Sequence, residues 1–323
     1  MTSAQTAGDP AAELIASSGI PGGICVVVGR DCADLAVAVA KQGPFTVHVL
    51  CPDADSCTRT RNQIRGRGVY GTVSAMVWAD SGLPYVPSLV NVLIVTDAPD
   101  STSAARARET ARVLAPYGSV FFRLSTTGVP DDSTMGGLLT AGGLTGVRTV
   151  KASGSTWLKA EKPWPEQIDE WTHFLHGADS NPVANDTVIG PPQHFQWVSD
   201  PLWLRSHETN ASTSTMVTAR GRLFLIEDQA PISLTGQHDF PSKWSLIARD
   251  AFNGLLLWKV PIRRWGWREW KKTWFGLRPG DFPLNLQKRL VAVGDKVYVT
   301  LGYQAPVSQL DARTGDILQT YAG

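Results

Sequence analysis

The chain has 323 residues, 18% of them charged and with a net charge of +1, so no strong field directs it to DNA, RNA or an acidic membrane surface. Its length suits about two domains, and 43% hydrophobic residues can fill ordinary cores. No run of about 18 apolar residues predicts a membrane-crossing helix, and "MTSAQTAGDPAAELIASSG" lacks the basic start and apolar core of a signal peptide.

Residues 1–10 read as a flexible tail. From there to about Trp164, strand and helix signals alternate. Strands are expected at 24–29, 45–53, 72–80, 90–98 and 118–124. Helices are expected at 34–42, at 56–68 with an exposed arginine face, at 103–115, and more weakly at 134–142. Segments 146–154 and 155–163 read as two closing strands. Apolar strands separated by helices predict a mostly parallel sheet covered on both faces. Cys25, Cys32, Cys51 and Cys57 form no CxxC pair and read as free, mostly buried thiols rather than a disulfide or zinc framework.

Residues 165–213 have little periodicity and many turn residues, yet too much apolar surface to be disordered, so an ordered connector is expected. Eleven of the twelve tryptophans lie from Trp157 onward. After Thr213 come eight short strand signals in two sets. The sets share an ending, "RDAFNGLLLW" (249–258) against "LDARTGDILQ" (310–319). Both read Asp-Ala-x-x-Gly, which suits a tight turn between the third and fourth strands with glycine at positive φ. Such repeats of four-stranded units point to propeller blades.

The strand–turn–helix at "VVVGRDCADLAVA" puts backbone N–H groups and a helix N-terminus at the carboxyl edge of the sheet, where α/β folds bind ligands. Gly29 makes the turn, with Asp31 and Ala33 where further glycines would fall. Asp53, at the end of the second strand, is the candidate for a ribose hydroxyl. Asp80 is the candidate for an adenine edge, and Asp97 for the substrate side.

Here the sequence resembles the class I S-adenosylmethionine-dependent methyltransferases, over about residues 11–164. "WADSGLPY" (78–85) is similar to the family's acid followed by Leu-Pro-aromatic, "ARVLAPYGSVFF" (111–122) to its Arg-Val-Leu-x-Pro-x-Gly stretch, and 141–163 to its closing strands. The resemblance implies a Rossmann-like α/β fold with S-adenosylmethionine as cofactor. The family's Gly-x-Gly-x-Gly loop is replaced by Gly29-Arg30-Asp31-Cys32-Ala33, and Cys51 stands where its acid is expected. Asp31 and Ala33 are therefore expected to narrow the pocket while the turn itself survives. No catalytic residue is named.

The second half resembles the quinoprotein-like, PQQ-binding-like β-propeller repeat, whose ending is Asp-Ala-x-Thr-Gly-x-x-x-Trp. Asp250, Gly254 and Trp258 match in one blade, and Asp311, Thr314 and Gly315 in the other, where Gln319 replaces the tryptophan. The resemblance gives Trp258 a docking role between blades. The whole arrangement resembles fusion proteins of planctomycete-type bacteria, whose members are often exported. A closed propeller has about four to eight blades, so missing blades or further copies of the chain are expected to complete it. Two blades do not supply a quinone site.

His173, His176 and Asp179, with His194 or His207-Glu208, have metal-ligand spacing, but the plainer reading is a lead-in segment whose histidines hydrogen-bond the backbone. "RRWGWREWKKTW" (263–274) reads as a loop whose tryptophans pack on the sheets; as a binding surface it suits a polysaccharide or a protein better than nucleic acid. The first functional reading is a non-catalytic binding or scaffold protein with a degenerate methyltransferase-like domain (11–164) and a propeller platform (214–323). The alternative is an S-adenosylmethionine-dependent methyltransferase, and a weaker one is a quinoprotein oxidoreductase within a longer chain.

Overall fold

The computed structural model describes residues 8–78, 82–97, 103–124, 132–188, 190–191, 195–201, 204, 212–230, 242–270, 283 and 285–322. The chain forms two compact units, Met1–Pro165 and Glu166–Gly323.

The first unit opens with a helix absent from the sequence expectations, α1 (Pro10–Ser18). Asp9 caps it by accepting the Ala11 N–H, Pro10 sits in the first turn, and Gly19 closes it at φ +71°. Then follow β1 (Gly23–Val28), α2 (Ala33–Ala40), β2 (Phe45–Cys51), α3 (Ala54–Gly66), β3 (Val73–Val77), β4 (Val90–Val95), α4 (Ala104–Val113), β5 (Leu114–Arg123), α5 (Asp132–Ala141), β6 (Thr145–Ala152) and β7 (Ser155–Glu161). The strands make one seven-stranded sheet in the order β3-β2-β1-β4-β5-β7-β6. β1 to β5 run parallel, while β7 is antiparallel to β5 and to β6. This is the methyltransferase-type, Rossmann-like arrangement.

Side chains alternate across β1. Cys25 and Val27 face a core shared with Leu14 of α1, Val37 of α2 and Ile64 of α3. Val26 and Val28 face the opposite core, with Val113 of α4 and Met135 and Leu139 of α5. Between β3 and β4 the described residues hold no helix; Leu83, Tyr85 and Leu89 of that loop pack on the second face instead. β5 starts four residues before the expected strand, because Leu114 already pairs with Val90 of β4, with a register shift between Val90 and Val92 and Tyr117 at φ +64°. All four cysteines are free and buried.

The second unit holds two four-stranded antiparallel sheets. One runs β11-β10-β9-β8, from β8 (Thr213–Ala219), β9 (Arg222–Asp228), β10 (Trp244–Asp250) and β11 (Leu256–Pro261). The other runs β12-β13-β14-β15, from β12 (Leu290–Val293), β13 (Lys296–Thr300), β14 (Val307–Asp311) and β15 (Ile317–Thr320). All eight expected strands are present.

The repeated endings build one device twice. Asp250 Oδ1 accepts the N–H groups of Phe252 and Asn253, and Asp311 Oδ1 accepts that of Arg313. Gly254 and Gly315 then turn the chain at φ +73° and +79°. Each glycine lies under an indole. Trp258 of β11 covers Gly315 and donates its Nε1–H to the Ala312 carbonyl at 3.1 Å. Trp197 covers Gly254 and donates to the Ala251 carbonyl at 3.0 Å. Trp258 thus joins the two sheets. Trp197, which reaches the first sheet from the lead-in segment, was not singled out in the sequence.

Residues 166–188 form a tied loop. The Asp169 carboxylate accepts Asn185 N–H and pairs with His176 Nε2, each at 2.7 Å, and the Asp169 N–H donates to Asp186. The loop reaches both sheets, with Trp171 bonded to Thr218 and the Thr172 carbonyl to the Ala292 N–H.

Candidate functional site

The turn after β1 lies at the point where the sheet order reverses, with β2 on one side of β1 and β4 on the other. In open α/β sheets this is where ligands collect. Gly29 is held at φ +151°, and a Cβ there would overlap Thr96 Oγ1 from the end of β4, so only glycine fits.

Four of the five candidate residues cluster here. The Arg30 N–H donates to Asp97 Oδ2 at 2.7 Å, and the Arg30 guanidinium meets Asp53 Oδ2 at 2.6 Å. Asp53 also caps α3 by accepting the Ser56 N–H at 2.7 Å. That bond, with Ser56's hydroxyl and then Arg30 adding to it, holds the Asp53 carboxyl below the usual carboxylate range. Asp31 pairs with Arg59 at 3.3 Å and keeps 61% of its side chain exposed. Asp80 lies outside the described residues.

This corrects one expectation. Asp31 does adopt a left-handed φ of +51°, which aspartate tolerates, but its carboxylate leans outward to Arg59. The groups that hydrogen-bond within the turn are Arg30 and Asp97. The Asp97 carboxylate takes the Arg30 N–H, and the Arg30 guanidinium pairs with Asp53, which keeps 39% of its side chain exposed. Sequence reasoning missed Arg30; the available signal was a cation next to Asp31, in a stretch with three further acids, at 34, 53 and 55. Cys32 packs beneath the turn, its thiol 3.2 Å from Thr96 Oγ1. Burial pushes that thiol up to about 11, and the Asp97 and Asp31 charges add to the rise.

Beside the turn opens a cavity of about 320 Å³. Val28, Val95 and Phe122, from the carboxyl ends of β1, β4 and β5, form an apolar floor; Trp78, Leu83 and Arg106 line it further. The Arg106 guanidinium lies 5.5 Å from the Trp78 ring centroid. Glu109, also at the wall, is fixed by Arg112 and by the Leu83 N–H, both at 2.7 Å. Its hydrogen bonds from Arg112 hold the carboxyl below its usual range. The cavity therefore combines an apolar floor, one indole and a few oriented charges, the usual make-up of a small-ligand pocket.

The other candidates resolve differently. His173 bonds the Thr172 hydroxyl, His176 bonds Asp169, and no group of three metal-ligating side chains occurs among the described residues. His194, His207 and Glu208 lie outside those residues. In the 263–274 loop, Trp265 and Trp270 are buried against Trp244 and Tyr303 and belong to the core of the second unit. Residues 271–282 fall outside the described set.

No family model and no curated protein matches the sequence. Solved structures similar to the chain include a protein of Methanococcus maripaludis described as an S-adenosyl-L-methionine-dependent methyltransferase, at 16% identity and TM-score 0.41, covering 50% of this chain and 87% of that one. A SAM-dependent methyltransferase from Aquifex aeolicus matches at 16% identity and TM-score 0.40, covering 48% and 90%. A Galdieria sulphuraria protein described as a sarcosine dimethylglycine methyltransferase matches at 13% identity and TM-score 0.40, covering 47% and 84%. The strand order and the antiparallel β7, not these scores, make the first unit a methyltransferase-type α/β fold.

Proposed function

We propose that the first unit is an S-adenosylmethionine-binding domain of the methyltransferase type. The observation that carries this reading is the cavity at the carboxyl ends of β1, β4 and β5, directly beside the Gly29 turn at the switch point of the sheet. An adenine ring suits its apolar floor and the Trp78 wall. A ribose would then cross toward Asp53, and the amino-acid end would lie along Gly29 and Asp97. The bound cofactor would supply a sulfonium methyl group; the chain's part is to seat it and exclude water.

The Arg30 contacts with Asp53 and Asp97 favour a second reading, a domain of this fold that binds without transferring. The second unit is read with it as a propeller-type interaction platform, on the strength of the Trp258–Gly315 and Trp197–Gly254 pairs, for a protein or polysaccharide partner. Calorimetry with S-adenosylmethionine tests the first reading. Saturable binding at micromolar ligand, weakened by Val95→Trp in the cavity floor, is the expected result. Binding that ignores Val95→Trp removes the cavity from the site, and no binding removes the cofactor.

A further inference from the structure

We propose that Arg30 is a built-in gate on this site, held closed by its own side chain and opened when a ligand displaces it; the inference rests on the cofactor reading above. Two contacts meet in one residue. The Arg30 backbone N–H is taken by Asp97, and its guanidinium by Asp53. Asp53 starts α3 beyond β2, and Asp97 follows β4, so Arg30 ties together the elements that flank β1 on both sides.

The tie is built to release. The Arg30 side chain is 60% exposed and that of Asp53 39%, so the pair is screened by water and salt. A side chain with that exposure can leave without opening a hole in the core. The backbone below it cannot yield as easily, because Gly29 packs on Thr96 and Cys32, and α2 starts at a fully buried Ala33. Asp53 keeps its bond to Ser56 when Arg30 leaves, so it stays oriented for a hydroxyl donor. The ligand that fits an opened gate has a diol or amine for Asp53 and a flat apolar ring for the cavity, which describes a nucleoside. An anion at the same place is disfavoured by Asp53 and Asp97.

The test compares the full chain with Arg30→Ala and, as a control, Arg65→Ala. Arg65 stacks on Tyr70 elsewhere on α3, 4.9 Å from that ring. Two readouts are taken: hydrogen exchange of segment 29–34 without ligand, and calorimetric affinity for S-adenosylhomocysteine. The gate predicts faster exchange in Arg30→Ala and an affinity about threefold to fivefold tighter, in keeping with one exposed ion pair. Arg65→Ala should match the parent in both. Unchanged exchange in Arg30→Ala, or faster exchange with equal affinities, overturns the gate and leaves the cofactor reading standing. Faster exchange with no binding in any of the proteins overturns the cofactor reading, and with it the gate's purpose.

Discussion

Gly315→Ala separates two costs that usually arrive together. The residue is at φ +79°, and a Cβ would lie 2.8 Å from Cδ2 and Cε3 of Trp258. Gly294, in the same sheet, sits at φ +57° with nothing within 4 Å of a Cβ. Gly294→Ala therefore carries only the left-handed backbone term, about 1–2 kcal/mol. Gly315→Ala carries that term and also pushes the indole off its seat, which strains the Nε1–H bond to Ala312 and overpacks a fully enclosed contact, a further cost of about 1–3 kcal/mol. In a Trp258→Ala background the second cost should vanish, so the double-mutant cycle should give a coupling of about 1–3 kcal/mol. Urea unfolding followed by near-ultraviolet circular dichroism reads the transition. Equal costs at 315 and 294, or a Gly315→Ala penalty that survives in the Trp258→Ala background, would refute the docking account.

Ser103→Ala removes the oxygen that accepts the Arg106 N–H at the start of α4 and should lower stability by about 1 kcal/mol, measured by chemical denaturation. The thiols should be inert in the folded chain. Burial pushes Cys25 far up and Cys51 to about 12, so a thiol reagent at pH 8 should label the protein only in denaturant, and rapid native labelling would contradict the buried placement. Glu109 and Glu227 should act oppositely with pH. The Glu109 carboxyl is held low by Arg112, so its contribution is present above about pH 4.3 and is lost as pH falls through the lower folded value. Burial raises Glu227, which is 3% exposed, so its ionised form opposes folding at neutral pH. Glu227→Gln should stabilise the chain near pH 7, with the gain disappearing below about pH 4, and a destabilised variant at pH 7 would count against it.

Periodicity carried most of the first unit. Apolar runs such as "ICVVV" and "VNVLIV" have no other place than a sheet covered on both faces, and the 3.6-residue pattern of 103–115 placed α4 within two residues. Helix α1, which the expectations lack, is legible too: Asp9 before Pro10 is an N-cap followed by a first-turn proline, although the tail is drawn to residue 10 and no element is expected before residue 24. The start of β5 was harder, since "LAPYG" has the composition of a turn and is drawn into the sheet by its neighbour β4. The role of Trp197 was out of reach, because its partners, Ala251 and Gly254, lie more than fifty residues away and nothing local marks it.

The turn at Gly29 shows why loop composition alone misjudges such a site. Two positions lack the glycines expected of a cofactor loop, yet neither loss is what fills the space. Asp31 reaches a left-handed φ and turns its carboxylate to Arg59. Ala33 is the first residue of α2, at ordinary helical backbone, where alanine is the better helix former. The turn therefore keeps its shape without them. The polar groups of the turn are instead engaged across the chain, by contacts 23 and 67 residues apart in sequence: the Arg30 guanidinium on Asp53 and the Arg30 N–H on Asp97. The Arg30–Asp53 pair is made by exposed or half-exposed side chains, so it is screened and reversible, whereas the Arg30 N–H bond to Asp97 belongs to the backbone of the turn. A side chain at position 29 would be a permanent obstruction, because its Cβ would overlap Thr96 Oγ1. On the gate proposed above, the Arg30 guanidinium holds the site only until something competes for the Asp53 carboxylate.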